Sequence, residues 1–460
     1  MNIYVARAVP LPPDGTPLPP TGKPLTLLAE VRDAALPADF PFLVHQESGE
    51  IIEPVILWLA SIHRSNGKRR WVKNTATAQV YALKDFWVYL SAIDAPWNII
   101  DEVDLEKYRD GLDAMISLHT HEILSEATKK ARLTHVLAFY DWARKRGLYE
   151  GVEFSKRKTL RFRPFDDNPL LHTQNRAEGH KIAALLPEMK GNLGDELRPF
   201  NNAGLSGVLR ALGPLPSRRV SGEASDPRPS RDRLAAELGA CCGLRIDEIA
   251  KLRAYQIQDL CPATWDHHDL GEVVHLHLTE TKGLRPRKIN LPTWLLRELD
   301  LYILDERREA IKAAERLAKV HKARLKPTNI LFVNSIYAKA NAGKAIDSKT
   351  ISAAFHRAVL NSGLIGTRAK INPDTGESYL KKDKAKHSFH DLRHTFALWT
   401  YWRERASGNA EPWKIVQTLL GHASLMTTLR YYLKSVSADE KAVSNDLLFF
   451  ARRIVAGEDI

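Results

Sequence analysis

The sequence predicts a mostly α-helical protein with a small β-sheet, divided into an N-terminal helical domain and a C-terminal α+β domain. Apolar residues recur at helical spacing through residues 50–150. Two short segments further on, VVHLHL and RKINLP, alternate as half-buried strands do and flank a turn-like stretch. Between the two regions, residues 166–230 are rich in Pro, Gly and Ser, which marks a linker or insertion. At 460 residues and 44% apolar, the chain has enough material for separate packed cores.

Residues 1–45 begin with the run VPLPPDGTPLPPTGKPL. Proline lacks an N–H and fixes φ, so an extended segment is expected there, with no assigned role. Residues 46–165 form the helical domain. Its helices are expected in GEIIEPVILWLASIHRS, in TATAQVYALKDFWVYLSAI with Val80, Leu83, Trp87 and Leu90 on one face, and in VDLEKYRDGLDAMISL, whose acidic start suits a helix N-terminus. The fourth, SEATKKARLTHVLAFYDWARKRGLY, starts at Ser125 as N-cap and stops at Gly147. Four helices with short loops make a compact all-α unit. The segment SKRKTLRFRPF then places Lys156, Arg157, Lys158, Arg161 and Arg163 among aromatics. It is either a strap along a DNA backbone or a solvated linker.

The second domain is expected over residues 231–440. It opens with a helix from Arg231 to Arg253, followed by the hairpin VVHLHL–TETKGLRP–RKINLP. Charged helices follow in LRELDLYILDERREAIKAAERLAKVHKARL and SKTISAAFHRAVLNSG, and the remainder to about Ser437 is expected to be mostly helical. In the tail, residues 441–460, an apolar face of Leu447, Leu448, Phe450, Ala451 and Ile454 suits a docking helix, in trans or in cis.

Composition narrows the function. Lys and Arg total 67 against 55 acidic residues, a formal net charge of +12, which favours a polyanionic partner. Cys241, Cys242 and Cys261 form neither a disulfide framework nor a CxxC zinc motif. No secretory signal and no apolar run of about 20 residues is seen, so a cytoplasmic protein without a membrane partner is expected.

Chemistry-bearing residues collect in the C-terminal half: Arg245 in GLRIDEIAKLR, Lys282 in TETKGLRPRK, His390 and Arg393 in FHDLRHTFA, His422 in LLGHAS, and Tyr431 in MTTLRYYLK. Two guanidiniums can clamp a phosphate, a lysine and histidines can move protons, and a phenol can attack phosphorus. Taken singly, each has a plainer role. Arg245 could pair with Asp247 or Glu248, Lys282 could be a solvated turn residue, and His422 could cap a helix. Arg285, Arg287 and Lys288 compete with Lys282, and Tyr432 with Tyr431. His394, adjacent to Arg393, is expected to point elsewhere and be structural. HDLRH lacks the glutamate of a zinc-binding HExxH, and His275 and His277 on one strand face suit a hairpin surface. No metal site is expected.

Together GLRIDEIAKLR, HDLRHTFA and LGHASLMTTLRYY, in that order and with nine residues from His422 to Tyr431, resemble the boxes of the tyrosine recombinase (phage integrase) family, over roughly residues 50–435. The resemblance implies a two-domain C-shaped clamp, with an N-terminal helical core-binding domain and an α+β catalytic domain. It implies Tyr431 as nucleophile, Arg245, His390, Arg393 and His422 on the scissile phosphate, Lys282 as general acid, and Glu248 holding a catalytic side chain. Arg285, Arg287 and the basic segment at 155–165 would contact DNA. No cofactor is implied, because the 3′-phosphotyrosyl link stores the bond energy. Double-stranded DNA, a tetramer on DNA and accessory proteins would be the partners, in integration or excision of a mobile element. A departure is Leu433, where many relatives carry histidine. Residues 166–230, 303–326 and 366–386 are extra material. Three alternatives stand beside this: a type IB topoisomerase-like relaxase, a non-catalytic DNA-binding regulator, and a metal nuclease, which the missing carboxylate cluster disfavours.

Overall fold

A computed structural model describes residues 1–5, 39–64, 73–117, 120–151, 154, 156–160, 179–183, 185–186, 198–221, 226–265, 271–279, 286–322, 328–372 and 374–421. The chain divides into two compact units, Met1–Gly191 with Lys370–Tyr379, and Asn192–Ala369 with Leu380–Ile460. Among the described residues no helix is long and apolar enough to cross a membrane.

In the first unit, β1 (Asn2–Val5) pairs antiparallel with β2 (Pro41–Val44). The four expected helices follow as α1 (Glu53–Arg64), α2 (Lys73–Ala92), α3 (Glu102–Ala114) and α4 (Glu126–Lys145). Val80, Leu83, Trp87 and Leu90 of α2 are all buried, as their spacing requires. The helix ends are set by side chains. Asp101 and Asp104 form a capping box on α3, and Ser125 accepts from the Thr128 N–H on α4. Edge-on rings fill the core, with Trp58 5.9 Å from Phe139 and Phe86 5.8 Å from Tyr140. Two buried phenols find acceptors: Tyr140 Oη donates to the Trp97 carbonyl at 2.8 Å and Tyr149 Oη to that of Ile100 at 2.6 Å. Within the basic segment expected as strap or linker, residues 156–160 form strand β3 (Lys156–Leu160), paired antiparallel with β4 (Gly179–Ala183).

The second unit starts inside the stretch expected to be irregular. There α5 (Asn202–Leu212), N-capped by Asn201, buries Leu205, Val208, Leu209 and Leu212 in the main core, and α6 (Pro216–Val220) follows. The helix expected from Arg231 to Arg253 is broken into α7 (Ser230–Cys242), α8 (Ile246–Ile249) and α9 (Ala254–Gln258). The cause is local. Gly243 ends α7 in the left-handed conformation, φ 65°, and Arg245 is extended, φ −77° and ψ 147°.

The expected hairpin is present. β5 (Val273–Leu278) pairs antiparallel with β6 (Arg287–Pro292), Leu276 opposite Ile289. Leu276 and Leu278 are buried and His275 and His277 exposed, which fits the hairpin-surface expectation for the histidines. Next come α10 (Thr293–Tyr302), a π turn at Ile303–Arg307, α11 (Arg308–Val320) and α12 (Ser348–Asn361). The region expected to be helical then holds two paired strands, β7 (Ile365–Ile371) and β8 (Ser378–Ala385). Side chains on β8 are largely exposed, so no apolar alternation marks it. Last among the described residues are α13 (Phe389–Ala406) and α14 (Pro412–Leu420), which share a satellite core of Leu398, Tyr401, Trp402, Val416 and Leu420.

Candidate active site

Gly243 turns the chain out of α7 so that Arg245 becomes the N-cap of α8. Its backbone N–H donates to Glu248 Oε2 at 2.9 Å, and its Nη1 to Glu248 Oε1 at 3.1 Å. A second guanidinium reaches the same carboxylate from β6: Arg287 Nη1 donates to Oε1 at 2.8 Å and Nη2 to Oε2 at 2.7 Å. The Glu248 side chain is 3% exposed, Arg287 8% and Arg245 25%, so Arg245 alone of the three keeps substantial access to solvent. Burial pushes the Glu248 carboxyl up, but the hydrogen bonds and charge of Arg287, reinforced by Arg245, outweigh it and hold the group below the usual carboxylate range.

Arg393 lies one turn into α13 and is 2% exposed. Its Nη1 donates to the Gly243 carbonyl, and its Nη2 to the Leu420 carbonyl at the end of α14. One buried guanidinium thus ties the end of α7, the start of α13 and the end of α14. Gly421 follows in the left-handed conformation, φ 64°, and a Cβ there would fall 2.7 Å from Arg287 Cδ. The Arg287 stem occupies the notch that this glycine leaves.

His390 is exposed in the first turn of α13, whose start is fixed by the Ser388–Asp391 capping box. Although Arg393 is three residues on, it is buried where His390 is exposed. His394 was expected to point away. Its ring stands edge-on to His390 with centroids 4.6 Å apart, because residues four apart share a helical face.

The structure therefore brings together Arg245, Glu248, Arg287 and Arg393. Arg287 was expected to contact DNA; here its fork faces Glu248. Lys282, Arg285, His422 and Tyr431 lie outside the described residues, as do Arg161, Arg163 and the tail, and of Lys156, Arg157 and Lys158 only the backbone is described. Among the described residues no three His, Cys, Asp or Glu side chains converge. The cluster carries two cations on one carboxylate, with Arg393 bound to the backbone turns beside them. Such a group can hold an anion at its exposed guanidinium while the buried members fix its position.

Residues 219–438 match the Phage integrase family. No curated protein matches. Among solved structures, a lambda integrase dimer bound to a core site is 16% identical over 82% of this chain and 94% of its own, with a TM-score of 0.44. The integrase of transposon Tn1549, in complex with transposon right-end DNA, is 18% identical over 85% and 99%, TM-score 0.40. XerA recombinase is 15% identical over 85% and 98%, TM-score 0.31.

Proposed function

We propose that this chain, whose residues 219–438 match the Phage integrase family, is a tyrosine recombinase that cuts and rejoins double-stranded DNA at specific sites through a 3′-phosphotyrosyl intermediate. The observation that carries this is the Arg393 guanidinium. It binds the carbonyl two residues before Arg245 and the carbonyl two residues before His422, so the three sequence boxes meet at one side chain.

On this proposal Tyr431 attacks phosphorus and the 5′ oxygen departs, taking a proton from Lys282. Arg245, Arg393, His390 and His422 stabilise the charge that grows on the non-bridging oxygens. The phosphate competes with the Gly243 and Leu420 carbonyls for Arg393. Attack by a 5′ hydroxyl of a second duplex reverses the step and completes the exchange, which calls for a tetramer on DNA. The target is a mobile element entering or leaving a genome in the cytoplasm, with accessory proteins setting direction. A nicked duplex carrying the cognate site, in chelator, tests the chemistry. Tyr431→Phe should abolish strand cleavage and leave DNA binding intact, and Tyr432→Phe should cleave. Cleavage by Tyr431→Phe equal to the parent would exclude the proposal.

A further inference from the structure

Arg287 is drawn into the site by contacts that leave nothing of it for a ligand. Both Nη atoms engage Glu248, at 2.8 and 2.7 Å, and the side chain is 8% exposed. Its Nε is buried without a hydrogen-bond partner. Its stem packs in the notch over Gly421, one residue before His422. Arg287 also opens β6, the strand that follows the segment bearing Lys282 in the sequence. Through Glu248 it is joined to Arg245, which the same carboxylate holds by backbone and side chain.

A bidentate guanidinium–carboxylate pair fixes orientation as well as distance, which a lysine ammonium does not. Without Arg287, Glu248 would have only the partly exposed Arg245 to neutralise it and would draw that guanidinium inward. With Arg287 in place, the carboxylate is already satisfied and Arg245 can face outward. We infer that Arg287 is a positioning residue for DNA cleavage: by occupying Glu248 it sets the orientation of Arg245, and it locks the β5–β6 hairpin and the turn at Gly421 to the same point. This rests on the assignment of Arg245 to the scissile phosphate proposed above.

The buried Nε gives the test its leverage. Arg287→Lys keeps the charge and removes an unsatisfied donor, yet gives up the fork, so stability and rate should part company. The parent, Arg287→Lys, and the double variant Glu248→Gln/Arg287→Gln are compared on a nicked duplex. The double variant replaces the ion pair by two amides and leaves no buried charge if the single variant fails to fold. The rate of adduct formation at saturating DNA, the DNA Kd and the melting temperature are measured. The rate is measured again with a methylphosphonate at the scissile position, which lacks the charge Arg245 would neutralise. The expected result is a folded variant with parental Kd, a rate lower by about 10- to 100-fold, and a smaller deficit on the methylphosphonate. A parental rate in a folded variant overturns the inference. So does a loss confined to Kd, which would make Arg287 a DNA contact. If the parent itself forms no adduct, the recombinase chemistry fails first and this inference falls with it.

Discussion

Glu248 accepts hydrogen bonds from two guanidiniums while almost wholly buried, so its charge is a stability term as well as a positioning device. Its carboxyl is held below the usual range in the folded protein, whereas the unfolded chain returns it to about 4.3. The folded state therefore binds fewer protons. The contribution is fully present above the unfolded value and is lost as pH falls through the folded one. Glu248→Ala should lower unfolding stability by on the order of 3 kcal/mol at neutral pH, since it strands two cations. Urea melts of parent and variant should converge in acid; a gap independent of pH would assign the loss to packing alone. Glu248 was legible in the sequence as an acidic residue three places after Arg245. Its tie to Arg287 was not, because the two are 39 residues apart and no local pattern encodes which arginine of RPRK turns inward.

Helix α7 illustrates what periodicity shows and what it misses. The apolar run through residues 231–253 continues across Gly243, so spacing alone reads one helix, but the left-handed glycine stops it and frees Arg245 to cap α8. A Cβ at Gly243 would strike the Phe396 ring, and φ 65° is unfavourable for any L side chain. Gly243→Ala should cost at least about 2 kcal/mol and displace Arg245. Denaturant midpoints, with adduct formation alongside, check both effects. The four helices of the first unit were legible because their caps and buried faces are local. Helix α5 was masked by the Pro, Gly and Ser that surround it. The β7–β8 pair was hidden by the same physics in reverse, since a strand such as SYLKKDKA exposed on both faces carries no hydrophobic alternation.

At the scale of the whole molecule, each unit has its own apolar core, one built around Trp58, Phe86 and Phe139 and the other around Leu234, Leu295 and Phe355. Calorimetry should resolve two unfolding transitions, and a single transition would show that the units unfold together. The formal charge of +12 predicts DNA affinity that falls steeply with salt, by a log–log slope of about −0.9 per phosphate contacted. The motif boxes were readable from sequence because each is a short run, whereas their convergence on Arg393 is a property of the fold. The most direct measurement is peptide mapping of protein trapped on a nicked cognate duplex. The account predicts a single phosphotyrosyl peptide ending the strand 3′ phosphate on Tyr431. A cleaved strand with no attached peptide, or attachment at any other residue, would contradict it.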